Sequence, residues 1–201
     1  MIKRLFDIAV SAAGLIVFAP IAAVIALAIK IEDGGPVFFT QERVGKDCRV
    51  FRAFKFRSMI VDAERHTGAI QATVDDPRVT RVGRILRAIA FDELPQLWNI
   101  FRGDMSVVGP RPLRPGEADT TADGVMLPLS AIPGYERRHR VRPGLTGVAQ
   151  VYAPRDLPRN GKFRYDLLYL KRAGLCVDLV LIVQSFWITA RGRWEHRGRK
   201  V

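Results

Sequence analysis

The longest apolar run in the chain covers residues 8–29 and follows Lys3 and Arg4. At helical rise this run is about long enough to cross the ~30 Å core of a bilayer, so its length predicts a spanning helix. Pro20 removes a backbone hydrogen bond near the middle and predicts a broken, re-entrant helix. A cleaved signal peptide is a third interpretation, although no convincing cleavage site follows. Asp7, the charge closest to the run, is expected to cap a helix or to pair with an arginine.

A short β-hairpin is predicted directly after this segment. Residues 37–41 and 49–57 have the composition of two strands, separated by a turn. From Phe54 to Arg57 aromatic and basic residues alternate, which is the pattern of a half-buried ribbon. The pattern predicts one aromatic face and one cationic face.

Helical spacing of apolar residues predicts several helices in the remainder of the chain. They fall near residues 60–66, 82–89, 94–101, 163–171 and 179–190. Residues 113–134 are rich in Pro, Gly, Asp and Thr and predict a long loop. The segment at 179–190 is too short to cross a bilayer. Because basic residues follow it, it lies either at an anionic interface or in the core.

The helix near residues 94–101 is preceded by the acidic pair Asp92 and Glu93. Pro95 is tolerated in a first helical turn, so the pair is expected at a helix N-terminus, where phosphate and carboxylate are both favoured. Arginines at every third position, the last of them Arg87, lead up to the pair. The pair is either a simple helix cap or a centre for metal-assisted phosphate chemistry.

Arg111 stands between Pro110 and Pro112. The two prolines restrict the backbone, so this arginine is expected to be held rigidly, as bidentate phosphate recognition requires. Arg142 belongs to a second basic cluster at residues 137–142.

Charge narrows the choice of partner. Lysine and arginine outnumber aspartate and glutamate by 32 to 20, a formal net charge of +12. This excess predicts an anionic partner, which is nucleic acid, an anionic membrane face or a phosphorylated substrate. Phosphate-loop, dinucleotide-binding, zinc-protease and nucleophile-elbow motifs are absent from the sequence.

Six stretches resemble, in order, those of the bacterial sugar transferases, the monotopic phosphoglycosyl transferases. The stretches cover residues 37–45, 54–59, 76–83, 92–97, 103–112 and 142–147. The resemblance implies an α+β fold, mainly helical with a small β-hairpin. It implies a re-entrant membrane helix over residues 1–31, broken at Pro20. Residues 32–201 would form a cytoplasmic catalytic domain with interfacial amphipathic helices and a basic C-terminal tail.

The resemblance also implies an activity, which is transfer of a phosphosugar from a UDP-sugar to polyprenol (undecaprenyl) phosphate with release of UMP. Asp92 would be the nucleophile that carries the phosphosugar, and Glu93, together with Asp92, would hold Mg²⁺. The remaining implied roles are phosphate binding by Arg87, Arg111 and Arg142, and nucleotide binding by Gln96, Pro110 and Pro112.

The implied location is the cytoplasmic face of the bacterial inner membrane, against anionic phospholipid. No nucleic-acid partner is implied, and a homodimer is left open. The alternative functions are a membrane-tethered basic nucleic-acid-binding protein and a scaffold for other glycan enzymes. One departure from the family pattern concerns Ala88 to Phe91, where members commonly carry a Lys-Thr-Ser-like stretch. A hydroxyl that could touch phosphate is lost at Ala90.

Overall fold

The structure, a computed structural model, describes residues 1–63, 65, 76–120, 126–154, 157–192 and 194. The helices are α1 (Ile2–Asp33), α2 (Arg81–Ala88), α3 (Gln96–Arg102), α4 (Tyr135–Arg138), α5 (Val148–Tyr152), α6 (Arg159–Arg172) and α7 (Leu175–Ala190). The strands are β1 (Phe38–Val44), β2 (Val50–Phe56), β3 (Ser106–Val108), β4 (Ala118–Thr120), β5 (Met126–Pro128) and β6 (Gly144–Thr146). A mainly helical fold with small sheets is confirmed.

Helix α1 runs through Pro20 without interruption. The predicted break at this proline is therefore not observed, whereas the re-entrant path stays a prediction. A proline removes only its own N–H from the helical ladder, and its exposed ring points away from the domain. By length and composition α1 is able to cross a membrane, the one such helix among the described residues.

One face of α1 packs along the rest of the chain. Phe18 meets Phe91 edge to face, with ring centroids 6.1 Å apart. Farther along, Ile25 and Ile29 are buried in a cluster with Phe56 and other apolar side chains. Helix α1 thus contributes to the core of the described chain. The predicted domain boundary after residue 31 stays a prediction.

Polar contacts attach both ends of α1 to the folded chain. Near its start, Asp7 accepts hydrogen bonds from the Ser106 hydroxyl and the Val107 N–H, each at 3.0 Å. Asp7 thus holds β3, which is neither of the roles expected for it. At the other end, Glu32 accepts from the backbone N–H of Arg81 at 2.6 Å, in the first turn of α2.

Strands β1 and β2 form the predicted hairpin. They pair antiparallel over their full length, from Phe38 opposite Phe56 to Val44 opposite Val50. The rings of Phe38 and Phe56 stack with centroids 5.4 Å apart. The hairpin is therefore confirmed, with its first strand three residues longer at the C-terminal end than predicted.

A parallel pair, β3 and β6, brings the chain after α3 against the turn at residues 142–147. A Cβ atom on Gly144 would lie 2.0 Å from the backbone nitrogen of Gly109. Only glycine permits this approach of the two backbones. The segment that contains Arg111 is consequently fixed against the body of the domain.

The predicted long loop at 113–134 contains regular structure. Strands β4 and β5 pair antiparallel within it, and Leu129 and Ile132 are buried against Phe163. The loop prediction is therefore wrong for these strands, because the buried apolar residues outweigh the turn-rich composition. Residues 121–125 lie outside the described residues.

Two further helix predictions have mixed outcomes. Residues 61–63 form a turn and not the start of a helix, and the rest of that prediction lies mostly outside the described residues. Helix α7 buries Leu181 and Ile188 while Phe186 and Trp187 are exposed. Both interpretations of α7 thus hold in part, one face being core and the other an exposed apolar surface. The basic tail after residue 194 lies outside the described residues.

Candidate active site

The acidic pair lies in a tight 3-10 turn, Phe91–Glu93, that precedes α3. The prediction that Asp92 and Glu93 open the helix is corrected, because α3 begins only after Pro95, its N-cap residue. Ala90 enters the turn with φ at 57°, in the left-handed region. Within the described residues neither carboxylate accepts a backbone N–H, so the capping interpretation is not supported.

Two cations hold Glu93. Lys55 Nζ lies 2.5 Å from Glu93 Oε1, and Arg111 Nη2 lies 2.9 Å from the same oxygen. Burial alone would raise the pKa of Glu93, but Arg111 and Lys55 outweigh burial and hold this pKa well below its ordinary value. Glu93 is therefore ionised over the whole physiological pH range.

Asp92 is also buried but is less strongly paired. Its ion pair among the described residues is with Lys55, at 3.8 Å. Burial raises the pKa of Asp92 and the charge of Glu93 adds to this rise, against the opposing effect of Lys55, Arg87 and Arg111. Adjacent carboxylates thus have opposite pKa shifts.

This difference gives the two carboxylates different chemistry. The Oε1 atom of Glu93 is engaged by two donors, which lowers its basicity. Asp92 makes no side-chain hydrogen bond among the described residues and has the higher pKa. Since nucleophilic strength rises with basicity, Asp92 is the better suited of the two to attack an electrophilic phosphorus atom.

The structure brings several of the predicted residues together around this pair. Arg111 contacts Glu93, and the positive charge of Arg87, in α2, acts on Asp92. Gln96 is buried in the first turn of α3. Pro110 and Pro112 are buried on either side of Arg111, whose side chain is exposed.

Arg142 is placed differently. Its Nε atom donates to the carbonyl of Gly103 at 2.7 Å. Gly103 is the C-cap of α3, at the opposite end of that helix from the acidic pair. Within the described part of the chain no contact joins Arg142 to either carboxylate, and its predicted phosphate contact stays a prediction.

Two basic residues of the site are absent from the sequence-based set. Lys55, on β2, contacts both carboxylates. Arg43, on β1, donates to the carbonyl of Pro112 at 3.2 Å, and burial followed by the charge of Arg111 lowers the pKa of Arg43 to about 10. The alternation from Phe54 to Arg57 predicts that Lys55 lies on a cationic face. It does not predict that this face contacts the acidic pair.

The acidic pair is the natural place to examine for a metal. Among the described residues there is no group of three or more His, Cys, Asp or Glu side chains that could hold one. Mg²⁺, however, binds phosphate substrates with only one or two protein carboxylates and completes its shell with phosphate oxygens and water. Asp92 and Glu93 supply hard oxygen atoms of this kind, so the residues fit a metal that arrives with its substrate.

Comparison with known proteins identifies the family of this chain. The family model described as bacterial sugar transferase matches residues 1–192. The exopolysaccharide production protein PSS of Rhizobium leguminosarum bv. phaseoli is 42% identical over 187 residues, which cover 90% of this chain and 92% of that protein.

Two other relatives carry more specific names. A UDP-glucose:undecaprenyl-phosphate glucose-1-phosphate transferase of Klebsiella pneumoniae is 44% identical over 90% of this chain and 38% of its own length. A UDP-N-acetylgalactosamine-undecaprenyl-phosphate N-acetylgalactosaminephosphotransferase of Aeromonas hydrophila is 42% identical over 92% of this chain and 42% of its own length. This chain therefore spans less than half of these two longer proteins. The family match over nearly the whole sequence shows that the chain belongs to the bacterial sugar transferases.

Proposed function

We propose that this chain transfers a phosphosugar from a UDP-sugar to undecaprenyl phosphate, or a related polyprenol phosphate, and releases UMP. The observation that carries the proposal is the adjacent pair of a buried Asp92 and a partly buried Glu93 with opposite pKa shifts, Glu93 being held by Lys55 and Arg111. The names of the relatives from K. pneumoniae and A. hydrophila describe the same class of reaction.

In the first half-reaction an oxygen of Asp92 attacks the sugar-linked phosphorus of the UDP-sugar. The bond from this phosphorus to the bridging oxygen breaks, and UMP leaves with that oxygen. The product on the enzyme is an acyl phosphate that carries the sugar. Arg111 and Arg87, whose charges act on Asp92, would offset the charge of the diphosphate, which otherwise repels the attacking carboxylate.

In the second half-reaction a phosphate oxygen of the polyprenol phosphate attacks the same phosphorus atom. The bond between Asp92 and phosphorus breaks, which restores the carboxylate and forms a polyprenyl diphosphate sugar. Because each half-reaction replaces one phosphorus–oxygen bond with another, no oxidant or reductant is needed. The cycle is ping-pong, so UMP is released before the second substrate reacts.

Asp92 and Glu93 are the residues that would hold Mg²⁺. When bound, this ion supplies charge neutralisation at the diphosphate and orients it for attack. The Oε1 atom of Glu93 is taken by Lys55 and Arg111. The second oxygen of Glu93, with no partner among the described residues, is thus the better candidate ligand.

The identity of the sugar is the finer question. Relatives of nearly equal identity are named for glucose and for N-acetylgalactosamine. UDP-glucose and UDP-N-acetylgalactosamine are accordingly the first two donors to test. The name of the R. leguminosarum relative places that protein in exopolysaccharide production, and initiation of a lipid-linked polysaccharide is the role we propose for this chain.

We further propose that α1 is re-entrant and that the domain lies on the cytoplasmic face of the inner membrane. Lys3 Nζ pairs with Asp178 of α7 at 2.6 Å, and Glu32 at the other end of α1 binds the first turn of α2. A helix whose two ends bind the same folded domain is expected to keep both on one side of the bilayer. Positive charge near Lys3 and Arg4 favours the cytoplasmic side.

The exposed apolar side chains supply a surface for lipid. On α1 they include Ile16, Val17 and Val24, and on α7 they include Val183 and Phe186. A patch of this kind, next to an excess of positive charge, suits an anionic phospholipid surface. A homodimer stays a prediction.

The proposal is tested by incubating the purified full chain, in detergent or nanodiscs, with each UDP-sugar, Mg²⁺ and undecaprenyl phosphate. We expect release of UMP and formation of a lipid-linked phosphosugar. Asp92→Asn serves as the matched control, since it keeps the side-chain volume and removes the nucleophile. Full turnover by this variant would overturn the assignment of Asp92, and absence of UMP release from the native protein with every donor would overturn the function.

A further inference from the structure

The segment from Pro110 to Pro112 is held by its carbonyl groups. Pro110 and Pro112 have no N–H to donate, so the backbone of these two residues can be hydrogen-bonded only through its carbonyl groups. The carbonyl of Pro110 accepts from the N–H of Gly144 at 2.9 Å. The carbonyl of Arg111 accepts from Arg138 Nη2 at 2.6 Å, and that of Pro112 accepts from Arg43. Three donors from three different elements thus set the backbone around Arg111.

Arg138 is a side chain of the interior. It is only 2% exposed, and its Nε and Nη2 atoms each lie 2.9 Å from Asp166 Oδ2 in α6. Its Nη1 atom lies 3.1 Å from His139 Nε2, and its guanidinium lies 4.8 Å from the centre of the Phe163 ring. Each nitrogen of the guanidinium therefore has a partner, which determines its orientation.

His139 fits this arrangement as a neutral acceptor. Burial, with the charge of Arg138 adding to it, lowers the pKa of His139 to about 4. At neutral pH the Nδ1–H then donates to the carbonyl of Tyr135 at 2.8 Å, and Nε2 accepts from Arg138. A neutral His139 avoids placing a second positive charge beside the guanidinium.

The buried pair of Arg138 and Asp166 is not explained by stability alone. Removing two charges from water costs several kcal/mol per ion, which their attraction only approximately repays. What Arg138 adds beyond the pair is its contact with the carbonyl of Arg111. The side chain of Arg111 in turn reaches Glu93, with Nη2 at 2.9 Å from Oε1. A chain of contacts hence runs from α6 through Arg138 to the acidic pair.

We propose that Arg138, oriented by Asp166, is a positioning residue that fixes the backbone of Arg111 and so sets the guanidinium of Arg111 over the reacting phosphates. This inference rests on the proposed function for its kinetic consequence, but not for the conformation itself. The position of a phosphate-binding group matters strongly, since a displacement of about 1 Å is able to lower the rate about 100-fold.

A double-mutant cycle tests the kinetic consequence. We expect Arg138→Met to lower kcat/KM for the UDP-sugar by about 10- to 100-fold. In the Arg111→Ala background the same change should have almost no further effect, because its route to the substrate is already lost. Equal losses in both backgrounds would overturn the proposal. Arg138→Lys keeps the charge but cannot contact Asp166 and the carbonyl as a planar fork. Its kcat/KM should therefore lie between those of the native protein and Arg138→Met.

Two controls separate positioning from a general loss of structure. Arg78→Met removes an arginine from another ion pair of low exposure, with Asp76 at 2.7 Å, in a different part of the chain. We expect this variant to lose about as much thermal stability as Arg138→Met. Its effect on kcat/KM should be the same in the native and the Arg111→Ala backgrounds. Thermal unfolding of each variant identifies those that remain folded at the assay temperature.

A spectroscopic measurement tests the conformation without turnover. The Nε–H resonance of Arg111, assigned by its disappearance in Arg111→Ala, should be sharp in the native protein and broadened in Arg138→Met. It should remain sharp in Arg78→Met. An unchanged resonance in Arg138→Met would overturn the positioning role even in an active enzyme. If the native protein released no UMP, the proposed function would fail while this measurement still decided the role of Arg138.

Discussion

Lys55 Nζ lies 2.5 Å from Glu93 Oε1, which joins the β-hairpin to the turn that carries the acidic pair. The hairpin is held in place from the other side by Asn99 of α3, whose Oδ1 accepts from the Phe54 N–H at 3.0 Å and whose Nδ2 donates to the Arg52 carbonyl at 2.8 Å. The strand and the helix are thus fixed to each other one residue from Lys55. The hairpin is consequently part of the candidate active site and not only a structural element.

Replacing Lys55 should change the acid sensitivity of the fold. In the native protein the lowered pKa of Glu93 contributes stability that is present above the ordinary carboxyl pKa and is lost as pH falls through the lowered value. Lys55→Met moves this pKa back towards its ordinary value. We expect the midpoint of acid unfolding, followed by circular dichroism, to move to higher pH. Lys55→Arg retains a cation and is the matched control, so an equal shift in both variants would contradict this role.

Asp92 should show the opposite relation between charge and stability. Because the pKa of Asp92 is raised, the folded state favours its protonated form. Ionisation of Asp92 therefore costs stability, and this cost develops as pH rises from the ordinary carboxyl pKa through the raised pKa. Asp92→Asn removes that cost. We expect the free energy of unfolding at pH 7 to increase by about 1 kcal/mol while turnover falls at least ~1,000-fold. Chemical denaturation at pH 7 measures the change, and a less stable Asp92→Asn protein would be the contrary result.

Glu93→Gln provides the contrast for the preceding prediction. It leaves Lys55, whose side chain is only 17% exposed, without its carboxylate partner, whereas water can replace the contact of the exposed Arg111. We expect this variant to lose about 3 kcal/mol of stability at pH 7, since breaking one partner from a buried ion pair leaves uncompensated charge. The same denaturation experiment measures this loss, and a gain in stability would contradict the pairing.

Ala90 tests the backbone of the turn. Its φ of 57° lies in a region that costs a residue with a Cβ atom about 1 kcal/mol and costs glycine almost nothing. Ala90→Gly should therefore raise the free energy of unfolding by roughly 0.5–1 kcal/mol. Ala90→Val is the matched control of opposite sign, because a β-branched side chain is still less favourable at positive φ and should lower the free energy of unfolding. Thermal unfolding of the pair should bracket the native protein, and equal melting temperatures would show that the turn does not impose this conformation.

Topology is tested with introduced cysteines after Cys48 and Cys176, both exposed, are replaced by serine. Ile2→Cys and Pro36→Cys mark the two ends of α1. If the helix is re-entrant from the cytoplasmic face, a membrane-impermeant thiol reagent should label neither position in intact cells and both in inverted vesicles. Labelling of residue 2 from the periplasmic side would show a spanning helix instead.

The local patterns of the chain predict much of the fold. Alternation identifies the hairpin, and helical spacing identifies α2, α3, α6 and α7 to within several residues. Local signals are least informative in two places. Helix α1 continues through Pro20, whose exposed ring removes only one hydrogen bond. The turn-rich segment at 113–134 contains strands because its apolar residues are buried.

The candidate site is only partly visible in the sequence. Asp92, Glu93 and Arg111 are close together in the chain and belong to recognisable motifs, whereas Lys55 reaches the site through the hairpin fold. The contact of Arg142 with the C-terminal end of α3, away from the acidic pair, also depends on tertiary structure and is not visible in the sequence. Residues that act through another residue, such as Arg138, leave no local signal other than belonging to a basic cluster.

The central claim is that Asp92 becomes covalently attached to the phosphosugar. The most direct measurement incubates the full chain with UDP-sugar and Mg²⁺ but without polyprenol phosphate, and then maps the modified peptide by mass spectrometry. We predict one phosphosugar, with the mass set by the donor used, on the peptide that contains Asp92, its release on addition of undecaprenyl phosphate, and no modification of Asp92→Asn. UMP release with an unmodified Asp92, or a phosphosugar on another residue, would contradict the account.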